Sequence, residues 1–188
     1  MMKYLIVGLG NIGPEYAHTR HNIGFDIADA LVSKHGASFS PDRYSDYALI
    51  NLKGKQLHII KPTTFMNLSG KAVRYWLQYL KVDANQMLVL VDDLAIEFGK
   101  IRIRANGSDA GHNGLKNINE ILGTQEYPRL RFGIGNQFPK GRQVDYVLGK
   151  WTNEEMQKLP DLIKHCVESI EAFASVGLER TMNFYNIK

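Results

Sequence analysis

Cysteine is almost missing: Cys166 stands alone in 188 residues, which excludes an internal disulfide framework and a zinc cluster built on several thiolates. Long apolar runs are missing as well. The longest aliphatic stretch, Met87 to Val91, falls far short of the ~20 residues that a membrane span needs, so no membrane partner is expected. The opening MMKYLIVGLGNIG meets glycine too early for a secretion signal. There is no internal repeat, low-complexity tract or Pro/Gly/Ser-rich linker, so one domain over residues 1–188 is expected. What is present, 44% hydrophobic and 22% charged residues, is the composition of a globular chain rather than a disordered one. The expectation is a cytoplasmic enzyme or binding protein.

Charge is unevenly placed. Residues 99–150 carry nine Lys/Arg against four Asp/Glu, while the net charge of the whole chain is only +4. A basic excess confined to one segment suits contact with a polyanion such as nucleic acid, and equally suits a solvated basic face.

Apolar patterning alternates between strand and helix. Tyr4 to Val7 and Met87 to Val91 are short continuous runs, as in strands buried on both faces. Tyr47 to Leu52 and Leu57 to Ile60 flank Lys53-Gly54-Lys55, which predicts a hairpin. Lys100 to Ala105 alternates isoleucine with arginine, a half-buried strand, and Leu130 to Ile134 makes a further strand. Helical spacing appears over residues 22–35, from Ser69 onward, after Gly111-His112-Asn113-Gly114, and from about Asn153 to Val176 with an interruption at Pro160. The pattern predicts an α/β three-layer sandwich: a twisted mixed, mostly parallel sheet with helices on both faces.

Gly8-Leu9-Gly10-Asn11-Ile12-Gly13 matches the dinucleotide-binding spacing GxGxxG. That fingerprint requires a helix opening directly on the glycines and an acidic residue ending a second strand about 20 residues later. Here Pro14-Glu15-Tyr16 delays the helix, and the position about 20 residues on falls at Ser33, inside a helix. No nicotinamide or flavin cofactor is expected. The glycines still mark a turn at the carboxyl end of a strand, where α/β sheets place their ligands.

Other polar residues gather at such ends. Asn11 follows the first strand, with Tyr16 and Thr19-Arg20-His21-Asn22 behind it; Met66-Asn67 precedes a helix; Asp92 closes the strand 87–91; His112-Asn113 opens another helix. These segments (YLIVGLGN, TRHNIGFD, KPTTFMNLSGKAV, the acidic pair, GHNGLKNI and RLRFGIGN) resemble the bacterial peptidyl-tRNA hydrolase family in order and spacing, from Tyr4 to about Gly149. The resemblance implies an esterase that releases peptidyl-tRNA dropped by stalled ribosomes, acting as a monomer without metal or cofactor. Two stretches depart from the family pattern: Ala95-Ile96-Glu97-Phe98, where a further Asp and a Pro-rich turn are common, and Asp109-Ala110 before His112.

The chemistry has its own logic. Ester hydrolysis at neutral pH needs a base for water and donors for the developing oxyanion. His21 suits the base because imidazole titrates near neutrality, and an aspartate can orient it and stabilise its charged form. Asp92 and Asp93 both qualify; matched to the family on the following Leu94 and Gly99, the resemblance implies Asp92. With no GxSxG elbow and a lone Cys166 on a helix, water is the expected nucleophile. The resemblance implies that Asn11 positions water and substrate, that Asn67 and Asn113 hold the peptide side, and that Tyr16, Met66 and His112 line the cleft. It also implies a grip on tRNA by basic residues after the catalytic strand: Arg104 and Arg131 as a 5′-phosphate clamp, with Arg102 and Lys116 beside them. A non-catalytic RNA-binding protein on the same fold is the rival reading.

Overall fold

The apolar runs form the centre of a seven-stranded sheet. The computed structural model describes residues 1–187. Strand β1 (Lys3–Gly8) lies parallel between β4 (Lys55–Pro62) and β5 (Met87–Asp93), and β7 (Arg129–Gly133) continues in parallel beside β5. Antiparallel strands complete the edges. β2 (Ser40–Asp42) and β3 (Ser45–Leu52) extend the sheet beyond β4, and β6 (Ile101–Arg104) extends it beyond β7. The order is β2-β3-β4-β1-β5-β7-β6, so the expected mixed sheet has its parallel pairs confined to the middle four strands.

The pleat sends alternate residues into two cores. Ile6, Leu88, Leu90, Ile101 and Phe132 face helices α1 (Ile23–Lys34) and α5 (Asn153–Val176). Leu5, Val7, Val89 and Val91 face α2 (Ser69–Leu80) and α3 (Asn113–Leu122). Two glycines let α1 sit directly on the strand ends. A Cβ on Gly8 would lie 2.4 Å from the Gly24 carbonyl oxygen, and a Cβ on Gly24 would lie 2.6 Å from both the Leu9 nitrogen and the Leu90 oxygen. Gly8, the first glycine of the GxGxxG spacing, therefore serves a close packing of backbone on backbone, while Gly10 makes room for the Phe25 ring.

Three short elements have no clear pattern in the sequence: β2, α4 (Gln143–Val147) and α6 (Leu178–Tyr185). The predicted interruption at Pro160 is a correction, since α5 runs unbroken through it for 24 residues. Proline removes the hydrogen bond to the carbonyl four residues back, that of Met156. Both residues lie on the exposed side of the helix, where the freed acceptor is open to solvent.

Candidate active site

The carboxyl ends of β1, β4 and β5 meet along one edge of the sheet, and the loops there carry the polar residues singled out above. His21 sits in a 3₁₀ turn, Arg20–Asn22, that feeds straight into α1. The Gly8–Gly24 contact lowers this turn onto the end of β5, and the His21 ring meets Asp92. Its Nδ1 lies 3.0 and 2.9 Å from the two carboxylate oxygens. A second histidine reaches the same carboxylate: His112 Nε2 is 2.9 Å from Asp92 Oδ1. The two rings stand 4.9 Å apart.

The tautomer of His112 follows from its surroundings. It is the N-cap of α3, and its Nδ1 accepts from the backbone N–H groups of Gly114 and Leu115 at 3.1 and 3.3 Å. That nitrogen therefore carries no proton, and the neutral ring's proton is on Nε2, donated to Asp92. Burial of Asp92 opposes its charge, but His21 and His112 outweigh this and hold its carboxyl well below the usual range. Burial likewise opposes a charged His21, and the adjacent carboxylate reverses the balance, so its pKa is raised. With Nδ1 donating to Asp92, Nε2 is left as the basic nitrogen, on a side chain 12% exposed.

Asp93 turns the other way, as the alternation of a strand requires. Its Oδ1 accepts the Ala95 N–H at 2.8 Å and its Oδ2 lies 3.3 Å from Arg131 Nη1. Of the two adjacent acids, the one in contact with His21 is Asp92.

Asn11 is held at both ends. Its backbone N–H and carbonyl pair with the amide of buried Asn22 at 2.8 and 2.9 Å, and its Oδ1 accepts the Met66 N–H at 2.8 Å. The free end of the Asn11 side chain is thus the Nδ2 donor. Asn22 was not anticipated as a site residue; its signal is a polar residue immediately after His21, at a helix entry. Met66 is buried against Gly114, where a Cβ would come within 2.7 Å of its sulfur. Asn67 and Asn113 are exposed, and their side-chain amides form no hydrogen bond among the described residues. Tyr16 is half-buried in the turn Pro14–Tyr16. Two hollows lie near the His21 turn, and His21 lines the first of them. One is lined by Asp92, His112, Asn113, Arg131 and Val144, the other by Asn11, Gly13, Asn22, Phe25 and Lys61. Tyr16, Met66 and Asn67 line neither.

The departure at Asp109-Ala110 has a structural use. Asp109 accepts the Gly111 N–H on its side chain and the His112 N–H on its carbonyl, both at 2.8 Å, and Ala110 takes a left-handed φ of 50°. This Asx turn delivers His112 to the helix entry.

The register of β6 on β7 pairs Arg102 with Arg131 and Arg104 with Arg129, so four arginines share one face of the ladder. Their environments differ. Arg102 and Arg104 are exposed and border a groove with Met182, Asn183 and Asn186 of the C-terminal segment. Arg131 is only 9% exposed, tied to Asp93 and, at 2.7 Å, to the Ser108 carbonyl. It is therefore less open than a free clamp requires. Arg129, not anticipated, is fully buried; it stacks 4.2 Å from the Tyr127 ring and donates to the carbonyls of Gly107 and Gln125. These two arginines hold the loop that leads to His112. Lys116 is exposed on α3. Arg20, also unanticipated, pairs with Glu155 at 3.0 Å and lies 4.1 Å from the Tyr146 ring, which moors α4 and α5 to the turn of His21.

His21, Asp92 and His112 also form a group of potential metal ligands, with ligand atoms within 4.8 Å of one another. In the arrangement described, protons join these atoms, and an ion would have to displace both. A model of the family described as peptidyl-tRNA hydrolase matches residues 5–188. A peptidyl-tRNA hydrolase of Porphyromonas gingivalis is 57% identical over 98% of this chain and 100% of its own. One from Parabacteroides distasonis is 54% identical over 100% of both chains. The crystal structure of peptidyl-tRNA hydrolase from Acinetobacter baumannii superposes with a TM-score of 0.92 at 33% identity, covering 99% of this chain and 96% of that one. Likeness of that extent in sequence and in fold, reaching from Leu5 past every residue of the His21–Asp92–His112 cluster, places this chain in the peptidyl-tRNA hydrolase family.

Proposed function

We propose that the protein hydrolyses the ester joining a peptide to the terminal ribose of tRNA, with His21 as general base and water as nucleophile. The observation that carries this reading is the buried Asp92 carboxylate with two histidines on it, one locked as a donor by a helix N-terminus and the other left with a free basic nitrogen. His21 Nε2 takes a proton from water as the oxygen attacks the ester carbonyl carbon. The tetrahedral intermediate then expels the ribose oxygen, which receives that proton from the imidazolium. The peptide leaves as a carboxylic acid and the tRNA with a free hydroxyl. Asp92 stabilises the transient imidazolium, and its second partner His112 keeps the carboxylate in place through the cycle.

Asn11 Nδ2 supplies the donor that orients water and the developing oxyanion, because its Oδ1 is already committed to Met66. The open amides of Asn67 and Asn113 hold the peptide main chain, and Met66 and Tyr16 border its path. On the RNA side, Arg104 is the principal phosphate ligand, with Arg102 and Lys116 beside it. Arg131 contributes positive field from behind, its fork being shared between Asp93 and Ser108. In this reading the enzyme is a cytoplasmic monomer that recycles tRNA from prematurely released peptidyl-tRNA, without metal or cofactor.

The test is release of N-acetylated amino acid from tRNA by the native protein and by His21→Ala, with free aminoacyl-tRNA as control. Loss of a general base lowers the rate by roughly 10²–10⁴ with the fold intact. Near-native turnover by His21→Ala, or equal rates on the acylated and free forms, would remove the mechanism.

A further inference from the structure

A second positive cluster lies on the opposite flank of the catalytic centre from β6 and β7. The turn joining β2 to β3, Arg43-Tyr44, meets the first turns of α2 there. It is pinned at two points: the indole N–H of buried Trp76 donates to the Arg43 carbonyl at 2.9 Å, and the Tyr44 carbonyl accepts the Thr63 N–H at 2.9 Å. Thr63 begins the loop that carries Met66 and Asn67, so this turn sits at the same sheet edge as His21. Lys71 Nζ lies 4.8 Å from the Tyr44 ring centroid; the Arg43 guanidinium lies 5.2 Å from it and 5.7 Å from that of Tyr75. Tyr75 meets Tyr44 edge-on and stacks on Tyr79. Arg74 follows Lys71 three residues along the same helix face.

Arg43, Lys71 and Arg74 are all exposed, and none forms an ion pair among the described residues. Like charges this close repel, and the neighbouring Asp42 carboxylate accepts the Arg43 backbone N–H at 2.7 Å rather than pairing with any of the three side chains. Their field reaches the Tyr44 hydroxyl, which Arg43 first, then Lys71 and Arg74, hold below the usual phenol range.

We propose that this cluster is a distal subsite for the peptide arm of the substrate, in which Arg43, Lys71 and Arg74 receive acidic side chains lying upstream of the ester and the rings of Tyr44 and Tyr75 carry the chain between them. The assignment rests on the protein being a peptidyl-tRNA hydrolase. The substrate has two arms leaving one ester. The exposed arginines of β6 suit the phosphate-bearing arm, and the Arg43 cluster lies across β1 and β5 from them. An extended peptide advances about 3.4 Å per residue, so the position at which an acidic side chain is preferred reads the span from the ester to the cluster.

The experiment uses N-acetylated hexapeptidyl-tRNAs in which one Glu is moved along a Gly/Ser peptide, beside the same series carrying Lys, with N-acetylglycyl-tRNA as a short control. Native protein and the variant R43Q/K71Q/R74Q are compared. The native enzyme gives a KM lower for Glu than for Lys by roughly three- to fivefold at one or two positions, the scale of an exposed ion pair, and the difference fades at high salt. The variant keeps its thermal midpoint and its kinetics on the short control but loses the Glu–Lys difference. An equal rise in KM on short and long substrates would make the cluster an RNA contact, and no Glu–Lys difference in the native enzyme would make it a solvated face; either overturns the proposal. Anisotropy of fluorescein-labelled acidic and basic hexapeptides reads the subsite without hydrolysis. Absence of turnover therefore counts against the function, and absence of acid preference in binding counts against the subsite.

Discussion

Replacing His112 separates two tasks that its ring performs. His112→Ala removes the N-cap of α3, a loss of about 0.5–2 kcal/mol. It also takes one of two donors from a buried carboxylate, for about 1–3 kcal/mol more. Urea unfolding should therefore show a loss of roughly 1.5–5 kcal/mol, the sum of those two ranges. His112→Asn is the informative partner. Asparagine is a good N-cap and restores the first term, but its shorter side chain does not reach Asp92. The catalytic consequence follows from charge. The donor from His112 withdraws negative charge from Asp92; without it the carboxylate holds the proton of His21 more tightly, and the already raised His21 pKa rises further. A base works in its neutral form, so the acid limb of kcat/KM, which should already lie above the ordinary histidine value, moves to higher pH in both variants. The assay is a pH–rate profile beside unfolding curves for all three proteins. An unmoved limb in His112→Asn, with stability recovered, would refute coupling through Asp92 and leave His112 as a cap alone.

Gly24→Ala should destabilise by about 1–3 kcal/mol or more in urea, since its methyl group would meet the backbone of Leu9, just past β1, and of Leu90 in β5; tolerance of alanine there would dismiss the close approach as the reason for glycine. Arg104→Ala should raise KM far more than it lowers kcat and flatten the log–log salt dependence by roughly 0.7–0.9; an unchanged salt slope would remove it from the RNA contact. Asp92→Asn should lose stability at neutral pH and lose less as the solution is acidified. The depressed carboxylate contributes fully above its unfolded value, and that contribution disappears as pH falls through the folded one; a parallel offset at every pH would contradict the assignment. Incubation with a chelator should leave turnover unchanged, and inactivation reversed by a divalent ion would assign the His21, Asp92 and His112 group to a metal.

The central strands were legible because burial on both faces leaves them no polar alternative, and the loops at their ends were legible because functional residue types interrupt apolar runs. Residue type alone does not separate Asp92 from Asp93; the family resemblance selects Asp92, and the period of two along β5 gives the physical reason once a neighbour on each face is known. Arg129 and Arg131 were unreadable as buried residues. Alternation in RLRFG marks them as outward-facing, and the return of residues 107 and 108 across the ladder, with Tyr127 and Gln125 beside Arg129, covers them. Arg20 was hidden for a similar reason, since Tyr146 and Glu155 lie far along the chain, and Asn22 because its partner is the backbone of Asn11, which has no side-chain signature. β2 contains Pro41, tolerated because it pairs on one side only, and three residues show no period.

The mooring of Arg20 bears on the order in which the protein becomes competent during synthesis. Every side-chain partner of its guanidinium, the Tyr146 carbonyl and ring, Trp151 and Glu155, is translated more than a hundred residues later. The turn bearing His21 is made almost first, and the last of its ties forms almost last. A nascent chain still held before residue 146 can pair β1 with β4 and β5 and bring His21 to Asp92, but it lacks the ties of Arg20 to Tyr146 and Glu155. A polypeptide truncated ahead of α5 therefore retains the sheet's centre and the His21–Asp92 contact without the mooring that fixes the turn from its far side.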